Sequence, residues 1–503
     1  MFAHIFSCAL RGLDGALVTV EVDIAGGLPS FTVVGLADTA VQESRERVRA
    51  AIRNSGFAFP MRRISVSLAP ADMRKGGPAY DLPIAVAMLM ATEQLRSTHT
   101  KTAFLGELGF DGSLRSTDGM LPMVIAAREA GMTHVVVPRA AAAEAALIRG
   151  IRIVPCATLR MVVEYLEARI RIAAPDPLPT PDQSADMIDF AEVRGNQHAR
   201  RALEVVASGG HNILLTGAPG SGKTMMARAL WGILPLLTDA ETLEVAKIRS
   251  VAGILGRDGF MSRMRPFCAP HHTTSIAGLV GGGAARIKPG MVTLAHRGVL
   301  FLDELPEYGA KLEVLRQPLE DRTITISRAH GSVLMPANVL LVAARNPCPC
   351  GWRGDRERAC TCRSSELERY ARRVSGPILD RIDMHLEMPR IAVGQLLSVA
   401  RGESTADIRA RVDVTRARQY ARQGCTNADM TQLQLKQWAN PDEAGTTLLA
   451  RATEKLMLSA RAYFRILRVA RTIADIDGSQ HVQSAHIAEA LQYRGQFDAT
   501  RDT

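Results

Sequence analysis

The densest chemistry in the chain lies in Gly217-Ala218-Pro219-Gly220-Ser221-Gly222-Lys223-Thr224, which fits G-x-x-x-x-G-K-[ST]. A loop of this kind turns backbone N–H groups inward and cradles phosphate oxygens. Lys223 reaches the β- and γ-phosphates, and the Thr224 hydroxyl ligates Mg²⁺. All eight residues are expected to bind nucleotide, with Lys223 also catalytic. Further on, the apolar run 298–302 ends in Asp303-Glu304. A carboxylate at the end of a buried strand can hold the Mg²⁺ hydration shell, and the next one can polarise an attacking water. Asp303 and Glu304 are assigned those roles. Asn346 ends a second apolar run, 338–345, where its amide can contact the γ-phosphate or that water. The expected chemistry is Mg²⁺-dependent hydrolysis of ATP.

A second constellation is Cys348, Cys350, Cys360 and Cys362, spaced C-x-C-x9-C-x-C. Four thiolates can enclose Zn²⁺ tetrahedrally, although paired zinc ligands usually have about two to four residues between them. Gly351, Gly354 and the charged residues from Arg353 to Arg363 read as a loop without a core, which a metal would order. Structural zinc and free thiols both remain open, and a disulfide fits a reducing compartment least.

These residues act together only if regular elements bring them together. Residues 211–216 read as a buried strand, and the helix-forming run after Gly222 puts the phosphates at a helix N-terminus. A strand–loop–helix, an acidic strand and an Asn-ended strand build a doubly wound α/β core with ligands at the carboxyl ends of its strands. Residues 319–342 read as a hairpin around Ala329-His330-Gly331-Ser332. The chain from about 391 is helical and basic. Its segment 459–478 carries the stripe Ile466, Leu467, Val469, Ala470, Ile473, Ala474, with Arg461, Arg465, Arg468 and Arg471 interspersed. Those arginines can also be read as snorkelling from a buried helix to solvent. Before the core, strands are expected at 16–24, 31–36 and 63–72, a helix at 39–56, a hairpin at 103–115 turning at Asp111-Gly112, and a helix then a strand over 121–138. Pro175, Pro177, Pro179 and Pro181 mark a semi-rigid connector. The expected division is 1–171, linker 172–186, ATPase core 187–390 and helical lid 391–503.

At 503 residues the chain has room for about three domains. It is 47% hydrophobic and 22% charged, as a globular protein is. A net charge of +10 admits an anionic partner such as nucleic acid. Only 5% of residues are aromatic, which argues against extended base stacking. The N-terminus lacks a signal-peptide pattern and no run of 18 apolar residues occurs, so a soluble cytoplasmic protein without membrane attachment is expected.

Residues 76–88 and 106–138 resemble the proteolytic domain of Lon-type proteases, an α+β fold. That pattern places Ala79 where the family has its nucleophilic Ser and Leu121 where it has its Lys, so the resemblance implies a fold without Ser–Lys proteolysis. The motifs RPFCAPHH, GGG, KPG, TLAH, LFLDELPE, TISRA, NPCPCG and SGPILDRID together resemble the magnesium-chelatase-like AAA+ ATPases of the YifB/ComM family over nearly the whole chain. One departure is Cys268, where the motif more often has Arg. The resemblance implies an AAA+ core whose sensor residue is Asn346. It implies that Arg381 is an arginine finger reaching the neighbouring subunit's ATP, although a surface pairing of Arg381 with Asp380 or Asp383 stays open. It also implies that Arg461 contacts the γ-phosphate in its own subunit. The implied assembly is a homo-oligomeric ring, a hexamer, acting on single-stranded and branched DNA in branch migration during natural transformation. The alternative is a chelatase-type ATPase that remodels a protein partner for metal insertion. In the ring reading Arg328, near the hairpin tip, points into the channel and contacts phosphates, with Arg286 and Lys288 adding to it. Arg328 paired with a neighbouring carboxylate is the other reading.

Overall fold

In the computed structural model the described residues are all but 37–40, 42, 74, 97–99, 177–186, 194–195, 256–261, 284–286, 329–330, 356, 391–401 and 495–503. The N-terminal part contains β1 (Phe2–Arg11), β2 (Asp14–Ala25), β3 (Ser30–Val34), β4 (Arg63–Ala69), β5 (Thr102–Phe104), β6 (Glu107–Leu108), β7 (Leu114–Arg115), β8 (His134–Pro138) and β9 (Arg152–Cys156). Seven of these form one mixed sheet, in the order β3-β4-β2-β1-β5-β8-β9. Alternation sets the inner face of β2: Val18, Val20, Val22 and Ile24 are all buried, two residues apart. The hairpin expected over 103–115 is shorter. Only β6 and β7 pair around Asp111-Gly112, while β5 joins β1 and β8 in parallel. The reason is burial on both faces, since Ala103 and Phe104 pack into separate cores on opposite sides of the sheet.

The second part contains β10 (Ile213–Gly217), β11 (Phe267–Cys268), β12 (Gly281–Gly282), β13 (Lys288–Pro289), β14 (Val299–Leu302), β15 (Thr323–Arg328), β16 (Gly331–Pro336), β17 (Leu340–Arg345) and β18 (Met384–Met388). A five-stranded parallel sheet runs β11-β14-β17-β10-β18. Every residue of β10 and β14 is buried, because helices or loops cover both faces. Period two still sorts the side chains. Ile213, Leu215, Val299, Phe301, Val342 and Ala344 enter one core, and Leu214, Leu300, Leu302, Leu341 and Ala343 enter the other.

The C-terminal helices do not carry a core of their own among the described residues. Ile408 and Val412 of the helix Thr405–Gln423, and Ile466, Val469 and Ile473 of the helix Ala460–Ile476, share the core that holds Ile213 and Leu215. The arginines of that last helix are mostly internal. Arg471 is 1% exposed and donates to Asp475 and to the Ser479 and Gln480 carbonyls. Arg465 pairs with Asp383, and Arg468 donates to the Met430 carbonyl. Buried partners, rather than solvent, take these three charges, and only Arg461 stays open, with its side chain 62% exposed.

The N-terminal part docks on the second part at Leu121. The Leu121 amide, at the start of the helix Met120–Glu129, donates to Ser250 Oγ (3.2 Å) and Glu144 Oε1 (3.0 Å). Ser250 Oγ donates to the same Glu144 oxygen at 2.5 Å. Burial raises the Glu144 carboxyl above its ordinary range, against the Ser250 and Leu121 hydrogen bonds.

Candidate active site

Parallel pairing brings the carboxyl ends of β10, β14 and β17 into line. Thr216 lies opposite Arg345, and Leu302 opposite Ala343. Gly217, Asp303 and Asn346 therefore leave the sheet side by side. The loop after β10 turns through Gly220 and Gly222 at φ 77° and 85°, where a side chain would be strained. Gly217 has no space for a Cβ, which would lie 2.6 Å from the Met388 carbonyl oxygen. The helix Lys223–Ile233 starts directly after Gly222, so its first amides face the loop's concave side.

Lys223 Nζ donates to the carbonyls of Gly217 (2.8 Å) and Ala218 (3.0 Å) and to Asn346 Oδ1 (3.1 Å). Burial lowers its pKa, opposed by the Asp303 charge. Thr224 Oγ1 donates to Asp303 Oδ2 at 3.1 Å, while the Glu304 amide donates to Asp303 Oδ1 at 2.9 Å. Lys223, Thr224, Asp303 and Asn346 are thus one connected group, drawn from three separate stretches of sequence. Its donor set suits Mg-nucleotide. The Thr224 hydroxyl and the Asp303 carboxylate are adjacent hard oxygen ligands, and the ammonium with the loop amides suits phosphate oxygens.

Glu304 follows in the left-handed region at φ 50°, uncommon for a non-glycine residue and typical of functional sites. Its Oε2 lies 3.2 Å from His272 Nδ1. The loop carrying His272 is tied down, since Tyr308 Oη donates to the Pro270 carbonyl at 2.5 Å and Lys311 Nζ to the His272 carbonyl at 2.9 Å. His272 was not singled out from sequence, and the signal available was its place in the APHH motif. Arg345 was missed as well. Its Nε donates to Thr216 Oγ1 at 3.3 Å, and burial pulls its guanidinium down to about 10. A lone cation closing the apolar run before Asn346 was the available sign. Cys268 sits half-buried on the edge strand β11, its thiol raised to about 11 by burial.

Arg381 and Arg461 lie elsewhere. Arg381 precedes β18, and the Asn212 side chain, ahead of β10, donates to its carbonyl. It therefore sits at the amino end of the sheet, the five residues of β10 or about 16 Å from the phosphate loop. Its guanidinium is almost buried, donating to the Pro377 carbonyl (2.8 Å) and pairing with Glu320 (2.7 Å) rather than with Asp380 or Asp383. Arg461 lies 4.0 Å from the same Glu320. The helix behind it crosses the amino end too, with Thr472 bonded to His211 at 2.7 Å. In this structure Arg461 thus lies beside Glu320, and its contact with a γ-phosphate stays an expectation by resemblance. The helix packs on the amino end because His211 and Asp383 there give it its buried partners.

The hairpin is present as β15 and β16, paired from Thr323↔Pro336 to Arg328↔Gly331. Its tip residues 329–330 and the Arg328 side chain lie outside the described residues, as does Arg286. Lys288 Nζ pairs with Asp118 of the N-terminal part at 3.1 Å, so this cation serves the domain contact. The four clustered cysteines come together, their sulfurs all within 4.8 Å of one another. Among the described residues no helix is long and apolar enough to cross a membrane.

Residues 189–396 match the family model described as magnesium chelatase, subunit ChlI. Residues 20–141 match the one described as subunit ChlI of Mg-chelatase, and 402–494 match its C-terminal model. The competence protein ComM of Haemophilus influenzae is 41% identical over 98% of this chain and 97% of its own length. The chain belongs to the magnesium-chelatase-like ComM/YifB family. The YifB protein of Escherichia coli is likewise 41% identical, over 97% of this chain and 96% of its own. Lon protease 2 of Bacillus subtilis is 28% identical over 155 residues, 28% of this chain. The family match covers both the part holding Lys223, Asp303 and Asn346 and the helices holding Arg461.

Proposed function

We propose that the chain is an ATP-driven DNA motor that works in the cytoplasm as a homo-oligomeric ring, a hexamer, and promotes branch migration of recombination intermediates during integration of imported DNA. The observation that carries the reading is the division of hydrolytic groups between the two ends of one sheet. Lys223, Thr224, Asp303, Glu304 and Asn346 gather at the carboxyl end, and Arg381 and Arg461 at the amino end. A guanidinium held there serves phosphate only in a neighbouring copy, and repeating that contact head to tail closes a ring. The full-length similarity to ComM supports the competence role.

In this reading the loop amides and Lys223 hold the β- and γ-phosphates. Thr224 and Asp303 hold Mg²⁺, which when bound neutralises phosphate charge. Glu304 polarises the attacking water, Asn346 orients it, and the neighbour's Arg381 takes up charge that develops on the γ-phosphoryl group. Arg461 acts across the same interface, not within its own subunit. The hairpin β15–β16 places Arg328 near its tip, where each subunit offers one cation to the DNA backbone. The second reading, a chelatase-type ATPase that remodels a protein partner, is favoured by the description of the three matching models. ATP turnover measured with and without single-stranded and branched DNA separates the two. Stimulation by DNA is expected, and turnover indifferent to both would sink the motor reading.

A further inference from the structure

The loop after Asn346 holds Cys348, Cys350, Cys360 and Cys362 with their sulfurs in a compact group. Cys348 Sγ lies 3.4 Å from Cys350 Sγ and 3.7 Å from Cys360 Sγ, and Cys350 and Cys360 are 3.6 Å apart. A tetrahedral Zn²⁺ with bonds of about 2.3 Å sets sulfurs about 3.8 Å apart, whereas a disulfide sets them about 2.05 Å apart. The spacing here is that of ligands around one ion, and all four cysteines are free. Backbone amides already point at the sulfurs, as they do around metal-bound thiolates. Cys350 N donates to Cys362 Sγ and Arg353 N to Cys348 Sγ, both at 3.3 Å. The single residue between paired cysteines is thus no obstacle, because the two C-x-C pairs face each other across the loop.

This loop touches the nucleotide machinery at two points. Asn346, two residues before Cys348, accepts from Lys223 through its side chain and from Tyr370 Oη through its carbonyl. Gly351, inside the loop at φ 84°, lies so close to Pro219 of the phosphate loop that a Cβ would come 2.6 Å from the proline ring. Apart from the buried Cys348, the cysteines are only partly covered, and Trp352, stacked under Arg358, is the loop's one large apolar side chain, so a metal would add most of the loop's order.

We propose that these four cysteines bind one Zn²⁺ per chain, and that the zinc-ordered loop holds Asn346 and Pro219 in the geometry that ATP hydrolysis needs. Binding forms four Zn–S bonds and releases the protons of those cysteines that were thiols to solvent, with no change of oxidation state. The coupling half of the proposal rests on the ATPase reading, while the metal half stands apart from it. A merely buttressing loop would lower stability. A loop that positions Asn346 lowers turnover at saturating ATP on the order of 10- to 100-fold, because sub-ångström placement is what it supplies.

The test uses the full-length protein purified without chelators. Metal content is read by plasma mass spectrometry, and zinc is then stripped with a mercurial followed by thiol, and restored. One zinc per chain is expected, and Co²⁺ in its place should show the visible bands of a tetrahedral thiolate site. Stripped protein should bind a fluorescent ATP analogue within about threefold of the loaded form, lose turnover as above, and regain it with Zn²⁺. Gly351→Ala should keep its zinc yet lose turnover. This separates contact with Pro219 from metal loss and covers the case in which cysteine variants fail to fold. Metal-free protein with reactive or disulfide-linked cysteines would overturn the metal site. Zinc-loaded and stripped forms with equal turnover would overturn the coupling. A chain that holds zinc but hydrolyses no ATP in either form would overturn the coupling and the ATPase reading together, leaving the metal site standing.

Discussion

Mixing two inactive variants turns the position of Arg381 into a number. Arg381→Ala keeps Glu304 but removes the guanidinium, and Glu304→Gln keeps the guanidinium but removes the carboxylate. In this structure Arg381 is held by Glu320 and the Pro377 carbonyl at the amino end of the sheet, away from Lys223. Arg381 is almost buried while Glu320 is close to half exposed, so this is more than a surface ion pair, and its release is offset by a charge-assisted bond to a phosphate oxygen of the neighbour's nucleotide, about 1.5–3 kcal/mol. Each variant alone should lose on the order of 10³-fold or more in turnover while still binding ATP. In an equimolar, randomly assembled ring, an interface is intact when an Arg381→Ala subunit supplies Glu304 and its neighbour supplies Arg381. That holds for half of one times half of the other, about one quarter of wild-type turnover at head-to-tail interfaces, whatever the ring size. If Arg381 served its own site, no subunit in the mixture would be complete. The assay is phosphate release on premixed, reassembled subunits, with nucleotide binding confirmed for each. A mixture that stays at the background of the single variants would refute the placement and move attention to Arg372 or Arg373. Those two pair with Glu368 and Glu307 in this structure.

Glu304→Gln should bind ATP with near wild-type affinity and hardly hydrolyse it, while Lys223→Ala should weaken binding itself; equilibrium binding and turnover on both variants check this, and normal turnover of Glu304→Gln would remove it from the chemistry. Arg328→Ala should weaken DNA binding about equally across sequences and reduce the salt slope by about one, with DNA-free turnover unchanged; an unaltered slope and branch-migration rate would exclude it as a phosphate contact. Burial holds His211 down to about 4 and His385 down to about 3, so the unfolded chain takes up protons that the folded chain refuses. Their contribution is whole above the unfolded pKa of about 6.5 and is lost as pH falls towards those values, at up to about 1.4 kcal/mol per pH unit for each. Asp81, raised by burial to about 6, acts in the opposite sense, so the measurement is the difference in urea unfolding between wild type and His385→Gln at pH 7 and pH 5. Equal pH slopes for the two proteins would contradict a buried neutral His385. Ser250→Ala leaves the buried Glu144 with only the Leu121 amide, which should loosen the contact between the N-terminal and ATPase parts by about 1.5–3 kcal/mol, read as earlier proteolytic cleavage; wild-type resistance would count against that contact.

Contiguous chemistry was legible in the chain itself. Gly217 to Thr224 is one stretch whose function depends on the backbone conformation of its loop and on its last two residues, so its pattern survives without any tertiary partner. Asp303 and Asn346 were legible because each closes an apolar run, and parallel strands of one sheet end on the same side. What depends on long-range packing was not legible. Four arginines spaced along one helix look alike in sequence. Asp383 and the Met430 carbonyl, brought in by other elements, take Arg465 and Arg468 inside, Arg471 turns inward to Asp475 on its own helix and to the Ser479 carbonyl beyond it, and Arg461 is left out. The end of the sheet on which Arg381 and Arg461 fall is set by Asn212, His211 and Glu320, none adjacent to them in sequence. His272 meets Glu304 and Lys288 meets Asp118 only after the chain has folded back on itself. Local pattern settles which groups a segment can offer. The partner that takes each group is decided by burial, because a charge leaves water only where a distant element brings its counterpart.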